Sequence, residues 1–583
     1  MKKILSLIFV MFFAVVLVGC GGGKKQTLSS INITGSGTIS VGAKVKYTAK
    51  FTPADYKDQG VKWTSSDETK LTINESTGEA TGVSAGNAYI FATSTAVTNI
   101  KGQKKVVVKD GSAGGDGEYP DLGGYTISIA QAKENLGDFD PFHSNYNQPD
   151  VEAKQKAWRE VEADFNCTIK VEAYPDFAPW GPKRWDYILS QASNNTSDYD
   201  FLTVPDSQIP NLVNGGALLS MQNWYSYYGN DMMDKSLITS GTYKGNLYSF
   251  TTSKNNINNV MYYNIPLLEK LQERNPDLKE PAQLFLDGEW TFEKFEQFCY
   301  DAQAAMAEIY SEAGTAGDPS QKYFAVSGWD TYWFVGLATN DGEPLGDISD
   351  MSINFTTEHK QAAAELIKRL YASKVADPKQ NVDQSVVTWM EGTSLFNTGS
   401  LWFVNASNRW KEGLWGDDTR YGYVPWPKAD ADVEYKVALG GQATWVMPIG
   451  NESEYPDYSD ECSAENIYYA ICEVFRRTKL YHESSDGYDA EIEKAAIAQK
   501  YAHSAASAKA YLEIQRLINE GKQYYDPLIS SDNSVGSLYT GGADPTAIKG
   551  AVNGFINNKY NTWVEATAQL IPELEESLRK VFS

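Results

Sequence analysis

The chain has 583 residues, 42% of them apolar and 22% charged, with a formal net charge of −24. That length is more than one hydrophobic core can hold, so two to four domains are expected. The acidic balance argues against nucleic acid and against electrostatic docking on anionic lipid, and it suits a solubilised surface.

Lys2 and Lys3 precede an apolar run from Ile4 to Val18, the pattern of a signal peptide over residues 1–19. The run is shorter than the roughly 20 residues a bilayer crossing takes, and no later run reaches that length. Leu17-Val18-Gly19-Cys20 resembles the bacterial lipobox. The resemblance implies that the Cys20 thiol is acylated and becomes the mature N-terminus. Residues 20–26, with Gly21-Gly22-Gly23, then form a flexible tether, and the protein is held on the extracytoplasmic face of the cell membrane by lipid alone.

From Lys44 to Phe51 residues alternate, with Val45, Tyr47, Ala49 and Phe51 on one face, as a half-buried strand requires. Val61–Thr64, Ala88–Ala92 and Val106–Val108 repeat the pattern, with turn signals at Pro53-Ala54-Asp55, Ser76-Thr77-Gly78 and Ser84–Asn87. Short strands at this spacing suggest a small all-β sandwich over residues 27–109. Val61-Lys62-Trp63-Thr64-Ser65-Ser66-Asp67, with Thr77–Val83 and Ala85-Gly86, resembles the bacterial group 2 immunoglobulin-like domain, with Trp63 between the sheets. Such a unit is read as a stalk, with an adhesive module as the alternative. A Gly- and Ser-rich linker follows at residues 110–121.

Residues 122–583 open with a strand at Tyr125–Ala130, a helix through Val151, Trp158, Val161 and Phe165, and a strand at Thr168–Ala173. A helix near Trp185–Ala192 and a strand at Tyr199–Val204 follow. This order implies an α/β fold with parallel strands, whose ligand sits beyond the strands' carboxyl ends. Asp206 and Ser207 directly follow the third strand and are candidates for ligand contact.

Cys167, Cys299, Cys462 and Cys472 form no C-x-x-C, and the four histidines form no H-E-x-x-H, so no metal site or cofactor is expected. Cys462 and Cys472 are close in sequence, but Ala464–Arg477 reads as a helix, and ten helical residues separate Cα atoms by roughly 15 Å, beyond disulfide reach, so free thiols are expected. There is no phosphate-binding loop and no nucleophile elbow. Those absences weaken hydrolase readings but leave open a carboxylate pair brought together from distant segments.

Several segments taken in order resemble the extracellular solute-binding proteins of carbohydrate ABC importers. They are Asn214–Leu219, Tyr243–Phe250, Tyr262-Tyr263-Asn264, Glu289–Phe295 with Thr291 as helix N-cap, Trp389–Trp402, Tyr421–Pro427 and Gly440-Gly441-Gln442. Phe250 stands where Pro is usual, and Trp402 sits one place late. The resemblance implies a two-lobed periplasmic-binding-protein fold with a hinge, the crossing segment at Tyr262, Tyr263 and Asn264 absorbing the rotation. It further implies a monomeric, non-enzymatic receptor that closes on a carbohydrate and presents it to an ABC transporter permease.

Sugars offer hydroxyls at the ring edge and C–H groups on the ring face, so their sites combine aromatic platforms with polar groups. In Ser327-Gly328-Trp329-Asp330-Thr331-Tyr332-Trp333 the resemblance points to Trp329 and Trp333 as stacking rings and Asp330 as a hydrogen-bonding carboxylate. Core packing of the two rings at helical spacing, and helix capping by Asp330, are the alternatives. Trp402 is a candidate platform in the second lobe, and Gly440 and Gly441 would let backbone approach the ligand. A surface adhesin and a two-carboxylate glycoside hydrolase are the competing functions.

Overall fold

In the computed structural model the described residues are 27–34, 38–42, 44–54, 56–109, 119–229, 232–233, 235–251, 259–312, 322–379, 385–405, 409–410, 413–450, 462–530, 534–535 and 547–583. The leader, Cys20 with its tether, and most of the expected linker lie outside them. The chain divides into two compact units, Met1–Gly117 and Glu118–Ser583.

The first unit is all-β. Strand Lys101–Lys109 lies between Thr38–Ser40 and Gly86–Ser94, and Val61–Ser65 pairs on the far side of Gly86–Ser94. The strand expected from Lys44 to Phe51 is divided. Lys44–Lys46 pairs with Glu79–Gly82, whereas Thr48–Thr52 pairs with Ser30–Thr34. Tyr47 is the point of division: it is buried, and its N–H leaves the ladder to donate to the Gly78 carbonyl at 2.9 Å. One apolar face thus serves two sheets, which period-two alternation alone cannot reveal.

Trp63 is buried in this unit, and Gly78 is what admits it. Gly78 has φ +70°, and a Cβ there would lie 2.8 Å from both Trp63 Cε2 and the Tyr47 carbonyl. Gly78→Ala is expected to cost this unit about 1–3 kcal/mol. Calorimetry should show its transition lowered while that of the second unit stays in place.

The second unit holds two four-stranded sheets, one per lobe. The first orders Cys167–Ala173, Tyr125–Gln131, Phe201–Pro205 and Ala443–Val446, the last strand antiparallel to the parallel three. Ile127 and Ile129 face one core with Trp158, Val161 and helix Ala464–Glu483, while Ala130, Leu202 and Val204 face another with Trp185 and Ile188. Phe201–Pro205, paired on both sides and covered on both faces, is buried at every position, whereas the edge strand Cys167–Ala173 alternates. The second sheet orders Phe324–Ser327, Ser394–Gly399, Val260–Asn264 and Tyr421–Val424. Helices Ile265–Arg274, Phe292–Glu312, Asp330–Ala338 and Glu358–Ala372 surround it in one large core.

The C-terminal helix Leu570–Phe582 touches both lobes. Leu570, Leu574 and Leu578 enter the second lobe's core. In the first lobe Phe582 packs edge-on against Tyr243 at 5.8 Å, and the Val581 carbonyl accepts from the Tyr243 hydroxyl and from Asn214 Nδ2. The cysteines at 167, 299, 462 and 472 are buried free thiols.

Candidate functional site

The carboxyl end of strand Phe201–Pro205 meets a segment that joins the lobes. Strand Val437–Leu439 pairs in parallel with Gln523–Tyr525, and Gly440-Gly441-Gln442 then leads into Ala443–Val446 of the first sheet. Asp206, directly after Phe201–Pro205, is bound to this link. Its Oδ1 accepts from the Gly441 N–H at 2.7 Å, and its own N–H donates to the Gln442 carbonyl at 2.8 Å. Burial pushes the Asp206 carboxyl up to about 7, against the lowering effect of hydrogen bonds from Gly441 and Ser240. In the second lobe, on the stretch after strand Gln523–Tyr525, Asp526, also buried, accepts from the N–H groups of Leu345 at 2.7 Å and Leu528 at 3.0 Å. Desolvation pushes it up to about 6.

These contacts change how the sequence candidates read. Gly440 is not open to a ligand: a Cβ there would meet the Asp526 carbonyl at 2.9 Å and Ile529 Cγ1 at 3.0 Å, so the residue lets the link pack on the Asp526–Ser530 stretch. Gly441, at φ +75°, turns the chain and donates to Asp206. The Ser207 hydroxyl reaches Ser530 Oγ at 3.1 Å, and the Ser207 carbonyl accepts from Ser534 Oγ at 2.6 Å. Asp206 and Gly441 therefore bind the link to the first lobe, Gly440 packs it on the second lobe's Asp526–Ser530 stretch, and Ser207 contacts that stretch directly.

The hinge expected at Tyr262, Tyr263 and Asn264 is not a joining segment. Tyr262 and Tyr263 are fully buried, and their strand Val260–Asn264 is paired on both sides, with Ser394–Gly399 and with Tyr421–Val424. Asn264 caps the next helix, accepting from the Leu267 N–H at 3.0 Å. A strand held by two ladders cannot absorb a dihedral change. The described chain passes between the lobes at Gly440–Gln442 and at Ser484–Asp489, which joins helix Ala464–Glu483 of the first lobe to helix Ala490–Tyr501, whose Ala498 lies in the second lobe's core. Asp526–Ser530 belongs to the second lobe, with Leu528 and Val535 both in that core.

Trp333 is core: it is 1% exposed, its indole N–H donates to the Ser327 carbonyl at 2.8 Å, and Phe295 stacks on it at 5.7 Å. Asp330 is also fully buried, its Oδ1 accepting from the Thr331 N–H at 2.7 Å in the first turn of helix Asp330–Ala338. Trp329, the N-cap residue of that helix, is half-buried, stacks on Tyr332 at 5.6 Å and carries Lys549 Nζ 4.5 Å from its ring centroid. Trp402 is 44% exposed just beyond Ser394–Gly399, the neighbouring parallel strand. Of the stacking candidates, Trp329 and Trp402 thus lie at the carboxyl edge with ring surface open, and Trp333 does not.

Sequence reasoning missed the corresponding wall of the first lobe. The loop after Cys167–Ala173 carries Tyr174, Phe177 and Trp180, the last two exposed, and leads into helix Pro182–Ser193. The positional rule that selected Asp206 applies equally to this aromatic- and proline-rich loop. Nearer the joining strands a pocket is lined by Tyr332, Ser400, Trp426, Val437 and Ile529, together with Asn259 and Asn340. Asn259 Nδ2 donates to the Tyr332 carbonyl at 3.0 Å and Asn340 Nδ2 to the Pro427 carbonyl at 2.6 Å. Both Oδ1 atoms are buried without a hydrogen-bond partner among the described residues. Open acceptors beside aromatic rings suit a polyhydroxylated ligand, because unpaired buried polar atoms are costly unless a ligand pairs them.

The sequence profile of the family described as bacterial extracellular solute-binding protein matches residues 156–458, just over half of the chain. That of the bacterial Ig-like domain (group 2) matches residues 28–108. Among curated proteins, a 3-O-α-D-galactosyl-α-L-arabinofuranosidase of Bifidobacterium longum subsp. longum is 34% identical over 108 residues, 17% of this chain. The chain spans only 9% of the length of that relative. Solved structures similar to this chain include the sugar-binding protein MalE of Xanthomonas citri (TM-score 0.49, 13% identity, covering 78% of this chain and 98% of that one). Another is the galacto-N-biose/lacto-N-biose I-binding protein of Bifidobacterium longum (TM-score 0.46, 12% identity, 80% and 99%). UgpB of Mycobacterium tuberculosis scores 0.46 at 12% identity, covering 78% and 98%. With the family profile spanning more than half its length, the chain belongs to the bacterial extracellular solute-binding proteins, and it carries a group 2 Ig-like domain ahead of its α/β unit.

Proposed function

We propose that this protein is an extracytoplasmic receptor that grips a saccharide between its two lobes and hands it, unaltered, to an ABC transporter permease. The observation that carries this reading is the set of part-exposed aromatic rings at the carboxyl edges of both sheets: Trp180 in the first lobe, Trp329 and Trp402 in the second. Beside the joining strands, the open acceptors Asn259 Oδ1 and Asn340 Oδ1 add hydroxyl-binding capacity. Closure is favoured because the ligand makes more contacts when both walls reach it, and rotation at the crossing segments, Gly440–Gln442 and Ser484–Asp489 among them, brings them together. Binding and release need no covalent step. Titration calorimetry of the purified protein against mono- and oligosaccharides should give saturable, stoichiometric heats, and small-angle scattering should report compaction. Silent titrations with every saccharide, or release of reducing sugar, would reject the reading.

Lipid attachment at Cys20 belongs to the same proposal: the tether keeps the captured solute near the permease. Cys20→Ser is expected to move the protein from the membrane fraction to the medium or periplasm, as fractionation would show. An unchanged membrane fraction would count against the anchor.

A further inference from the structure

The walls of the site carry cations at the places where they carry aromatic rings. In a chain of net charge −24, Trp180, Trp329 and Trp402 each have a cation against the ring: Arg184 at 5.0 Å, Lys549 at 4.5 Å and Arg409 at 5.2 Å from the centroid. Arg184 is the most telling. It stands in the first turn of helix Pro182–Ser193, at the carboxyl edge of the first sheet, with its guanidinium carbon 3.9 Å from the centroid of Tyr174. It is 2% exposed, and its Nε donates to the Ala178 carbonyl at 3.3 Å. Its Nη1 is buried with no hydrogen-bond partner, and no carboxylate lies within 4.0 Å of it, among the described residues. Glu134, in the turn after strand Tyr125–Gln131, is a carboxylate that acts on it electrostatically from a distance.

A buried guanidinium with no carboxylate in contact is costly to fold, and an anion arriving with the ligand would offset that cost. Arginine suits carboxylate or sulfate oxygens because its fork of N–H donors can pair with two of them at once. A neutral sugar would give Nη1 a hydroxyl oxygen but leave the charge unmatched. Ring and cation together match a pyranose whose face stacks while an acidic substituent on its edge meets the cation.

We infer that the ligand is an acidic saccharide, with Arg184 pairing a uronate carboxylate or a sulfate ester while Trp180 takes the sugar face. This rests on the saccharide reading above and narrows it. The test is titration calorimetry of the full chain with matched pairs: galactobiose and digalacturonate, neutral and glucuronate-bearing xylo-oligosaccharides, and neutral and sulfated galacto-oligosaccharides. At least one acidic member is expected to bind about tenfold or more tightly than its neutral partner, the scale of one charged hydrogen-bonded pair. Comparison of the uronate and sulfate arms identifies the anion. Arg184→Gln should shrink the acidic-to-neutral affinity ratio by about tenfold, and Arg184→Lys should restore part of it, which separates loss of charge from loss of fold. Neutral members binding as tightly as their acidic partners would overturn the inference and leave the receptor reading standing. No binding by either class would overturn both.

Discussion

Trp333→Ala is expected to lower the unfolding free energy by about 3–5 kcal/mol, whereas Trp329→Ala, four residues earlier, should cost about 1 kcal/mol and instead weaken saccharide binding. The contrast follows from surroundings. Trp333 is enclosed by Phe295 and Trp426, with ring centroids at 5.7 and 5.3 Å, and its N–H is bound to Ser327; truncation leaves a cavity and an orphaned carbonyl. Trp329 is open on part of its surface and leans on Tyr332. Its removal deletes a stacking face, expected to reduce affinity about tenfold or more, about 1.4 kcal/mol. Thermal unfolding and calorimetric titration of both variants check this. An affinity loss confined to Trp333→Ala would remove Trp329 from the site.

The second large effect is a pH dependence centred on Asp206. Its carboxyl is pushed up from the ordinary 3.8 to about 7 by burial, so the folded chain holds a proton that the unfolded chain releases. The associated stability is fully present below about pH 4 and is lost as pH rises toward 7, on the order of 4 kcal/mol in all. Asp526, raised to about 6, acts in the same direction. Asp206→Asn keeps an Oδ1 acceptor for the Gly441 N–H and removes the charge. Its melting temperature should exceed that of the wild type at pH 8 and converge with it near pH 4. Melting curves across that range decide the matter; a variant less stable at pH 8 would mean that the ionised carboxylate supports the joining segment.

Much of the architecture was legible because its periodicities are strong. The opening strands and helices fall at Tyr125–Gln131, Val151–Asp164, Cys167–Ala173, Pro182–Ser193 and Phe201–Pro205, close to where alternation and 3.6-residue spacing put them. The hinge expectation at Tyr262, Tyr263 and Asn264 rested on resemblance to a crossing segment. The three residues lie in a doubly paired strand just after the chain passes from Phe250 of the first lobe to Val260 of the second, and sequence does not show where pairing begins. The site was half legible. Position after a strand drew notice to Asp206 and Trp329, but whether a side chain points into solvent, core or a joining segment depends on long-range contacts such as Asp206 with Gly441. Arg184 gave no local signal at all, since an arginine in a helix's first turn is ordinary until its burial and missing partner are seen.

The closing helix has a mechanical consequence. Bodies coupled only by short ribbons can swing about several nearby axes. Here a rigid strut rooted in one body through Leu570, Leu574 and Leu578 is pinned to the other where the Val581 carbonyl takes two donors, Tyr243 and Asn214. Any excursion that parts the jaws must pivot about that pin or pull it out, so the strut restricts the direction of travel and resists gaping in the empty receptor.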